Sequence, residues 1–293
     1  MNGAFVLTGG AGFIGGCLLR KLNDEGIDDI IVVDNLDGVL KARNLEGKRF
    51  KRYIPKDAFL GTLAGRSPGR VSAVNHLGAC SSTSATDSAY LARNNLEYSQ
   101  TLAEWARDRG ARFIYASSAA TYGAGEQGYS DANGTTRRLQ PLNLYGYYKQ
   151  LIDLWMLDRG MDAEAAGIEF FNVFGPNEYH KGEMRSAVCR KFADVRDRGE
   201  IELFKSYRAD YPDGEQKRDF IYVKDAVDVL LFFVEHPDKN GIFNPGTGIP
   251  RSWNDLAHAM ASALRRKVDI RCIEMPESSR GGTSIAPGQI SAN

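Results

Sequence analysis

Tyr145 and Lys149 stand four residues apart in the segment LYGYYKQ, and Ser118 lies 27 residues before that tyrosine, at the end of RFIYASS. On a helix, positions i and i+4 share a face, so the phenol and the ammonium can point into one cleft. The ammonium would favour the phenolate and suit the tyrosine to general acid/base work, while the serine hydroxyl would hold a substrate oxygen undergoing oxidation. With thirteen tyrosines and ordinary lysine usage, about half a chance Y-x-x-x-K match is expected, and the chain contains one. The spacing therefore draws its meaning from its company.

That company begins at the N-terminus. The run AFVLT leads into TGGAGFIGG, with Gly9, Gly12 and Gly15 spaced as G-x-x-G-x-x-G ahead of a helical pattern. One glycine permits the tight turn, a second lets backbone approach a pyrophosphate, and a third lets helix and strand pack closely, with the helix N-terminus facing the phosphates. Asp34 ends the next apolar run, about twenty residues past the last glycine, which completes the pattern of a dinucleotide site. Asp34 would accept from the adenosine ribose and favour NAD, whereas Lys41, Arg43 and Lys56 could neutralise the ribose phosphate of NADP; the residues alone leave both open. A third set, His180 and Lys181 between Glu178 and Glu183 in NEYHKGEMR, follows the apolar stretch FFNVFGP. Taken singly, such a charged cluster is a solvated loop.

The elements that must position these groups are short β-branched runs at 4–8, 30–34, 73–77, 112–118, 168–173 and 220–223, alternating with helical patterns at roughly 13–25, 95–109 and 145–159. The alternation predicts an α/β fold, a Rossmann-like doubly wound parallel sheet with helices on both faces. After about residue 175 the chain is irregular and richer in Gly, Pro and charge, which predicts a smaller α/β substrate-binding lobe. The dinucleotide domain is expected over 1–170 plus about 218–245, and the lobe over about 171–217 plus 246–293.

Composition narrows the partners. The 293 residues carry 37 basic and 37 acidic side chains, a balance that predicts neither a nucleic-acid surface nor a polybasic membrane anchor, and leaves small molecules. Cys17, Cys80, Cys189 and Cys272 lie far apart without a C-x-x-C pair, so no metal site and no disulfide framework is expected, in keeping with a reducing cytoplasm. The N-terminus lacks the basic segment of a signal peptide. The longest later apolar run, AVDVLLFFV, is broken by Asp228 and falls short of the ~20 residues a membrane span needs.

Together TGGAGFIG, SSAATYG and YGYYK resemble the extended short-chain dehydrogenase/reductase superfamily. Within it, VVDNL, HLGACSST, ASSAATYG, FNVFGPNEYHKG and KRDFIYV resemble the ADP-L-glycero-D-manno-heptose 6-epimerase family, over about residues 4–281. That resemblance implies an isomerase, a homo-oligomer, that inverts carbon six of ADP-heptose by transient NADP-dependent oxidation, supplying a lipopolysaccharide core precursor. It implies Ser118, Tyr145, Lys149 and Lys181 as catalytic. For the cofactor it implies Gly9, Gly12, Phe13, Ile14 and Gly15 in the loop, and Asp34, Asn35, Lys41 and Lys56 around the adenosine half. Leu77, Gly78, Ala79, Cys80, Ser81, Asn94 and Val173 follow, with Lys149 on the nicotinamide ribose and Lys181 beside it. Substrate contacts fall on Ser118, Asn172, Phe204, Lys205, Ser206, Tyr207 and Arg218. Glu183 and Arg190 stand where the family often has a small hydroxyl residue and a histidine, and Arg208 joins Arg218 as a candidate for the pyrophosphate. His180 is expected to orient its loop. After Gly281 the likeness stops, and GTSIAPGQISAN replaces a substrate-contacting tyrosine and an expected terminal helix. The alternatives are another nucleotide-sugar epimerase or dehydratase, which would usually place acidic residues where this chain has Ala119 and Ala120, or a non-catalytic cofactor-binding protein.

Overall fold

The computed structural model describes residues 3–63, 69–207, 209 and 211–275. Its main sheet holds β1 (Ala4–Thr8), β2 (Ile30–Asp34), β3 (Arg52–Pro55), β4 (Val71–His76), β5 (Arg112–Ser118), β6 (Ala165–Phe170) and, after four strands that lie elsewhere, Gly241–Phe243. All pairings in it are parallel, in the order 241–243, β6, β5, β4, β1, β2, β3. The order reverses between β1 and β4, and a crevice at the carboxyl ends of strands at such a switch is where ligands of this architecture bind.

Every residue of β1 and β2 is buried, as a parallel sheet covered on both faces requires. Side chains alternate between two cores. Val6, Ile31, Val33, Val74 and Phe113 meet α3 (Tyr98–Asp108) and α4 (Leu144–Asp158), which follow α1 (Phe13–Asp24) and α2 (Lys56–Leu63) in the chain. Phe5, Leu7, Ile30, Val32 and Ile114 meet Leu18, Leu19 and Leu22 of α1 and Val227, Leu230 and Leu231 of the helix Val223–Glu235. Each such leucine contributes about 1.5–3 kcal/mol through its burial.

The expected strand over 168–173 is two strands. β6 ends at Phe170, and β7 (Asn172–Phe174) leaves the sheet to pair in parallel with Phe220–Tyr222. The break falls at Phe171, beyond which the Asn172 N–H donates to the Asp219 carbonyl at 3.1 Å. The expected helix from 95 becomes α-helical only at Tyr98. A π-helical turn over Ala92–Glu97 precedes it and carries Asn94 and Asn95, an irregularity often found at functional sites. β3 escapes sequence reading because only Ile54 of its four residues is buried, as suits an edge strand.

A separate core, away from the main sheet, gathers Val195, Ile201, Leu203, Ala257, Met260 and Ala261. It lies between α5 (Ala187–Arg198), the helix Trp253–Ala263 and a parallel pair of strands, β8 (Glu200–Phe204) with Asp269–Ile273. Among the described residues no helix is long and apolar enough to cross a membrane.

Candidate active site

β1 delivers the chain into Gly9 at φ +70°, where a Cβ would come within 2.7 Å of the Gly78 nitrogen. A Cβ on Gly15 would lie 2.1 Å from the Gly9 carbonyl oxygen, so α1 can rest on the turn only without one. Gly12 caps α1 with no side-chain bond, which leaves first-turn N–H groups available to an anion. These features form a close backbone cradle that fits a dinucleotide pyrophosphate.

At the adenosine end, the Asp34 carboxylate accepts from Ala11 N–H at 2.8 Å, from Asn35 N–H at 2.7 Å and from Lys41 Nζ at 2.7 Å. Lys56 Nζ donates to Asn94 Oδ1 at 2.7 Å, and Asn94 Nδ2 to Asn95 Oδ1 at 2.8 Å. Asn95 in turn binds both the N–H and the carbonyl of Cys80, at 2.9 Å each, anchoring the segment Leu77–Ser81. Asp34, Asn35, Lys41, Lys56, Asn94 and Cys80 are thus brought to the carboxyl side of β1, β2 and β4.

His76 was not singled out by its sequence context, yet it organises this edge. Gly78 N–H donates to Thr8 Oγ1 at 3.1 Å, Thr8 Oγ1 lies 2.6 Å from His76 Nδ1, His76 Nε2 lies 2.8 Å from Ser99 Oγ, and Ser99 Oγ donates to the Asn95 carbonyl at 2.7 Å. One proton sequence satisfies every group: a neutral imidazole protonated on Nε2. Burial, helped by the charge of Lys149, pushes the His76 pKa down to about 3 and holds that state. The signal in sequence was a histidine inside an apolar strand, which by itself says only that it is buried.

Ser118 ends β5, and Tyr145 and Lys149 share one face of α4. The helix docks closely because Gly146 lies against the Ala120 carbonyl, which a Cβ would approach to 2.5 Å. The Tyr145 pKa is raised overall, because burial pushes it up further than a side-chain hydrogen bond with Ser118 brings it down. Lys149 is 4% exposed and donates to the Ala116 carbonyl at 2.5 Å. Burial brings its pKa down to about 8, against the pull of the Asp153 carboxylate one turn further on. Asp153 accepts from Tyr115 OH at 2.9 Å and Ser117 Oγ at 2.5 Å, which joins β5 to α4. Glu169 on β6, also unanticipated, binds Thr121 Oγ1 at 2.9 Å and Tyr122 OH at 2.5 Å just past Ser118, and burial raises its pKa.

The cluster at 178–183 divides sharply. Glu178 is 1% exposed and accepts from Gly175 N–H at 2.9 Å, Ser186 Oγ at 2.8 Å and Ser186 N–H. The side chain of Glu183 is 92% exposed and meets Arg190 only at 3.9 Å. Lys181, on the 3-10 turn Tyr179–Met184, sits with Nζ 5.0 Å from the centroid of the Phe13 ring. Burial lowers its pKa, opposed by Glu178. The solvated-loop reading therefore holds for Glu183 and fails for Glu178, while Lys181 is half-buried.

Of the other residues, Asn172 donates through Nδ2 to the Asp219 carbonyl at 3.3 Å, and Val173 stands opposite Ile221. The Arg218 guanidinium is buried and lies 5.8 Å from the Trp253 ring. Phe204 is the exposed end of β8; beyond it Lys205 Nζ and Tyr207 OH bind Glu274 at 2.8 and 2.6 Å, and Ser206 N–H binds Asp213 at 2.7 Å. Arg208 and the tail after Gly281 lie outside the described residues.

Comparison with known proteins agrees with this geometry. The sequence profile of the NAD dependent epimerase/dehydratase family matches residues 5–246. The chain is 51% identical to the ADP-L-glycero-D-manno-heptose-6-epimerase of Nitratidesulfovibrio vulgaris (strain DP4), over 94% of this chain and 86% of that protein. It is 41% identical to the protein of that name from Fusobacterium nucleatum, with the same two coverages. The crystal structure of the Helicobacter pylori ADP-L-glycero-D-manno-heptose-6-epimerase superposes with a TM-score of 0.78 at 26% identity, covering 94% of this chain and 85% of that one. Cradle, serine–tyrosine–lysine face and relatives agree: the chain belongs to the NAD dependent epimerase/dehydratase family and, within it, to the ADP-L-glycero-D-manno-heptose-6-epimerases.

Proposed function

We propose that the protein interconverts ADP-D-glycero-D-manno-heptose and ADP-L-glycero-D-manno-heptose by inverting carbon six, with a nicotinamide dinucleotide in the glycine cradle. The observation that carries this reading is the presence of two half-buried titratable side chains on separate elements, Tyr145 beside Ser118 and Lys181 over Phe13. A bound nicotinamide dinucleotide supplies a reversible hydride acceptor for the carbon bearing the hydroxyl. Ser118 holds that hydroxyl, Tyr145 takes its proton, and the Lys149 ammonium favours the phenolate. The hydroxyl lies on opposite sides of carbon six in the two epimers, so a base within hydrogen-bond reach of one is out of reach of the other. Lys181 serves the second side, its pKa lowered by burial. Asn172, Arg218 and the segment 204–207 bind the nucleotide sugar. Incubating the purified protein with ADP-D-glycero-D-manno-heptose and following carbon six by NMR tests the reading. Inversion is expected, and a substrate that keeps its configuration overturns it.

NADP is the proposed cofactor. Both oxygens of Asp34 are already engaged, and Lys41 neutralises the carboxylate that would otherwise repel a ribose phosphate. Lys41→Ala should weaken NADP binding by about 10–100-fold, the worth of a charge-assisted hydrogen bond, and leave NAD binding nearly unchanged. Calorimetric titration with each dinucleotide reads the difference, and an equal loss for both would return Lys41 to a structural role.

A further inference from the structure

Asn44 links two parts of the molecule that the reaction must hold in register. It lies on the 3-10 turn Arg43–Leu45 and is 7% exposed. Its Nδ2 is 3.0 Å from the Ala11 carbonyl and 3.4 Å from that of Gly12, both in the glycine loop. The same nitrogen is 3.3 Å from the Asn177 carbonyl and 3.1 Å from His180 Nδ1, at separations of 133 and 136 residues. Turning the amide over would set Oδ1 against three carbonyl oxygens, so the network determines which atom donates. His180 Nδ1 accepts from Asn44 in the neutral tautomer protonated on Nε2, and burial together with the charges of Lys41 and Lys181 depresses the His180 pKa against a hydrogen bond to the Asn177 backbone that raises it.

The turn so held begins under constraint. Asn177 adopts φ +76°, a conformation that costs a non-glycine residue free energy unless its surroundings impose it. Its Nδ2 lies 3.2 Å from Cys17 Sγ on α1, a second tie to the cofactor side. Glu178 ties the same segment to Gly175 before it and to Ser186 beyond it. Lys181 therefore stands on a short turn fastened at both ends, and its near end is fastened to the backbone that cradles the pyrophosphate.

We infer that Asn44 and His180 are positioning residues for Lys181, setting the place of its ammonium from the glycine loop. The inference rests on the reading of Lys181 as the second acid/base group. Misplacing a reacting group by about 1 Å can cost about 100-fold in rate. Asn44→Ala should accordingly lower kcat by about 10–100-fold with little change in KM for the nucleotide sugar. Hydrogen exchange at the amides of residues 178–182 should quicken in the same variant, a readout independent of turnover. Added to Lys181→Met, Asn44→Ala should lower kcat no further, because the group it places is gone. His180→Gln keeps an acceptor for Asn44 and should retain more activity than His180→Leu; this pair tests the link if Asn44→Ala does not fold. Normal kcat in Asn44→Ala or His180→Leu, alongside an impaired Lys181→Met, overturns the positioning role alone. An equal loss from Asn44→Ala with and without Lys181 overturns it too. Full kcat in Lys181→Met removes the underlying reading instead.

Discussion

Tyr145→Phe is expected to lower kcat in both directions by about 10²–10⁴-fold, the usual cost of losing a general acid/base. The substitution removes one oxygen and leaves the ring. Folding should change by no more than the net worth of the hydrogen bond to Ser118, about 0.5–1.5 kcal/mol. Cofactor affinity should persist, since the glycine cradle and the Asp34 cluster belong to other strands. Lys149 would keep its bond to the Ala116 carbonyl. Steady-state kinetics from each epimer, with dinucleotide titration of the same preparation, separates a lost proton carrier from a lost site. A variant that turns over near the wild-type rate would take Tyr145 out of the mechanism.

Lys181→Met separates two descriptions of the same residue. As the second proton carrier, Lys181 is indispensable for one epimer, and because interconversion passes over both faces, kcat should fall about 10²–10⁴-fold from either starting epimer. Methionine keeps much of the apolar stem, so contact with Phe13 survives and only the cation–π attraction, about 0.5–2 kcal/mol, is lost. A surface lysine would predict the reverse: stability within about 0.5 kcal/mol and unaltered turnover. The split between kinetic constants adds a second check, since a lost acid/base group lowers kcat whereas a lost phosphate contact mainly raises KM. Undiminished kcat in both directions would sink the two-base proposal.

What the sequence determined by itself was local. The continuous apolar runs of β1 and β2 announce strands buried on both faces, and the glycine spacing after Thr8 announces a turn that no side chain would fit. Tyr145 and Lys149 reach a common face through helix geometry alone, as residues four apart must. Each of these follows from the covalent chain within a turn or two, where periodicity and excluded volume leave few alternatives.

Tertiary structure decided everything that needed two distant segments. Glu178 and Glu183 are alike in type and neighbourhood, but one is closed over by Gly175 and Ser186 and the other stands in water. His76 became a neutral link between Thr8 and Ser99 only because β1, β4 and α3 converge there. Phe171 ended a strand that apolar content would have continued, since Asn172 found its partner on Asp219. Lys181 drew its environment from Phe13, and Asn44 its partners from the glycine loop and from residues 177 and 180. Burial and hydrogen-bond partnership depend on what the rest of the chain brings up against a residue, and a linear pattern carries no term for that.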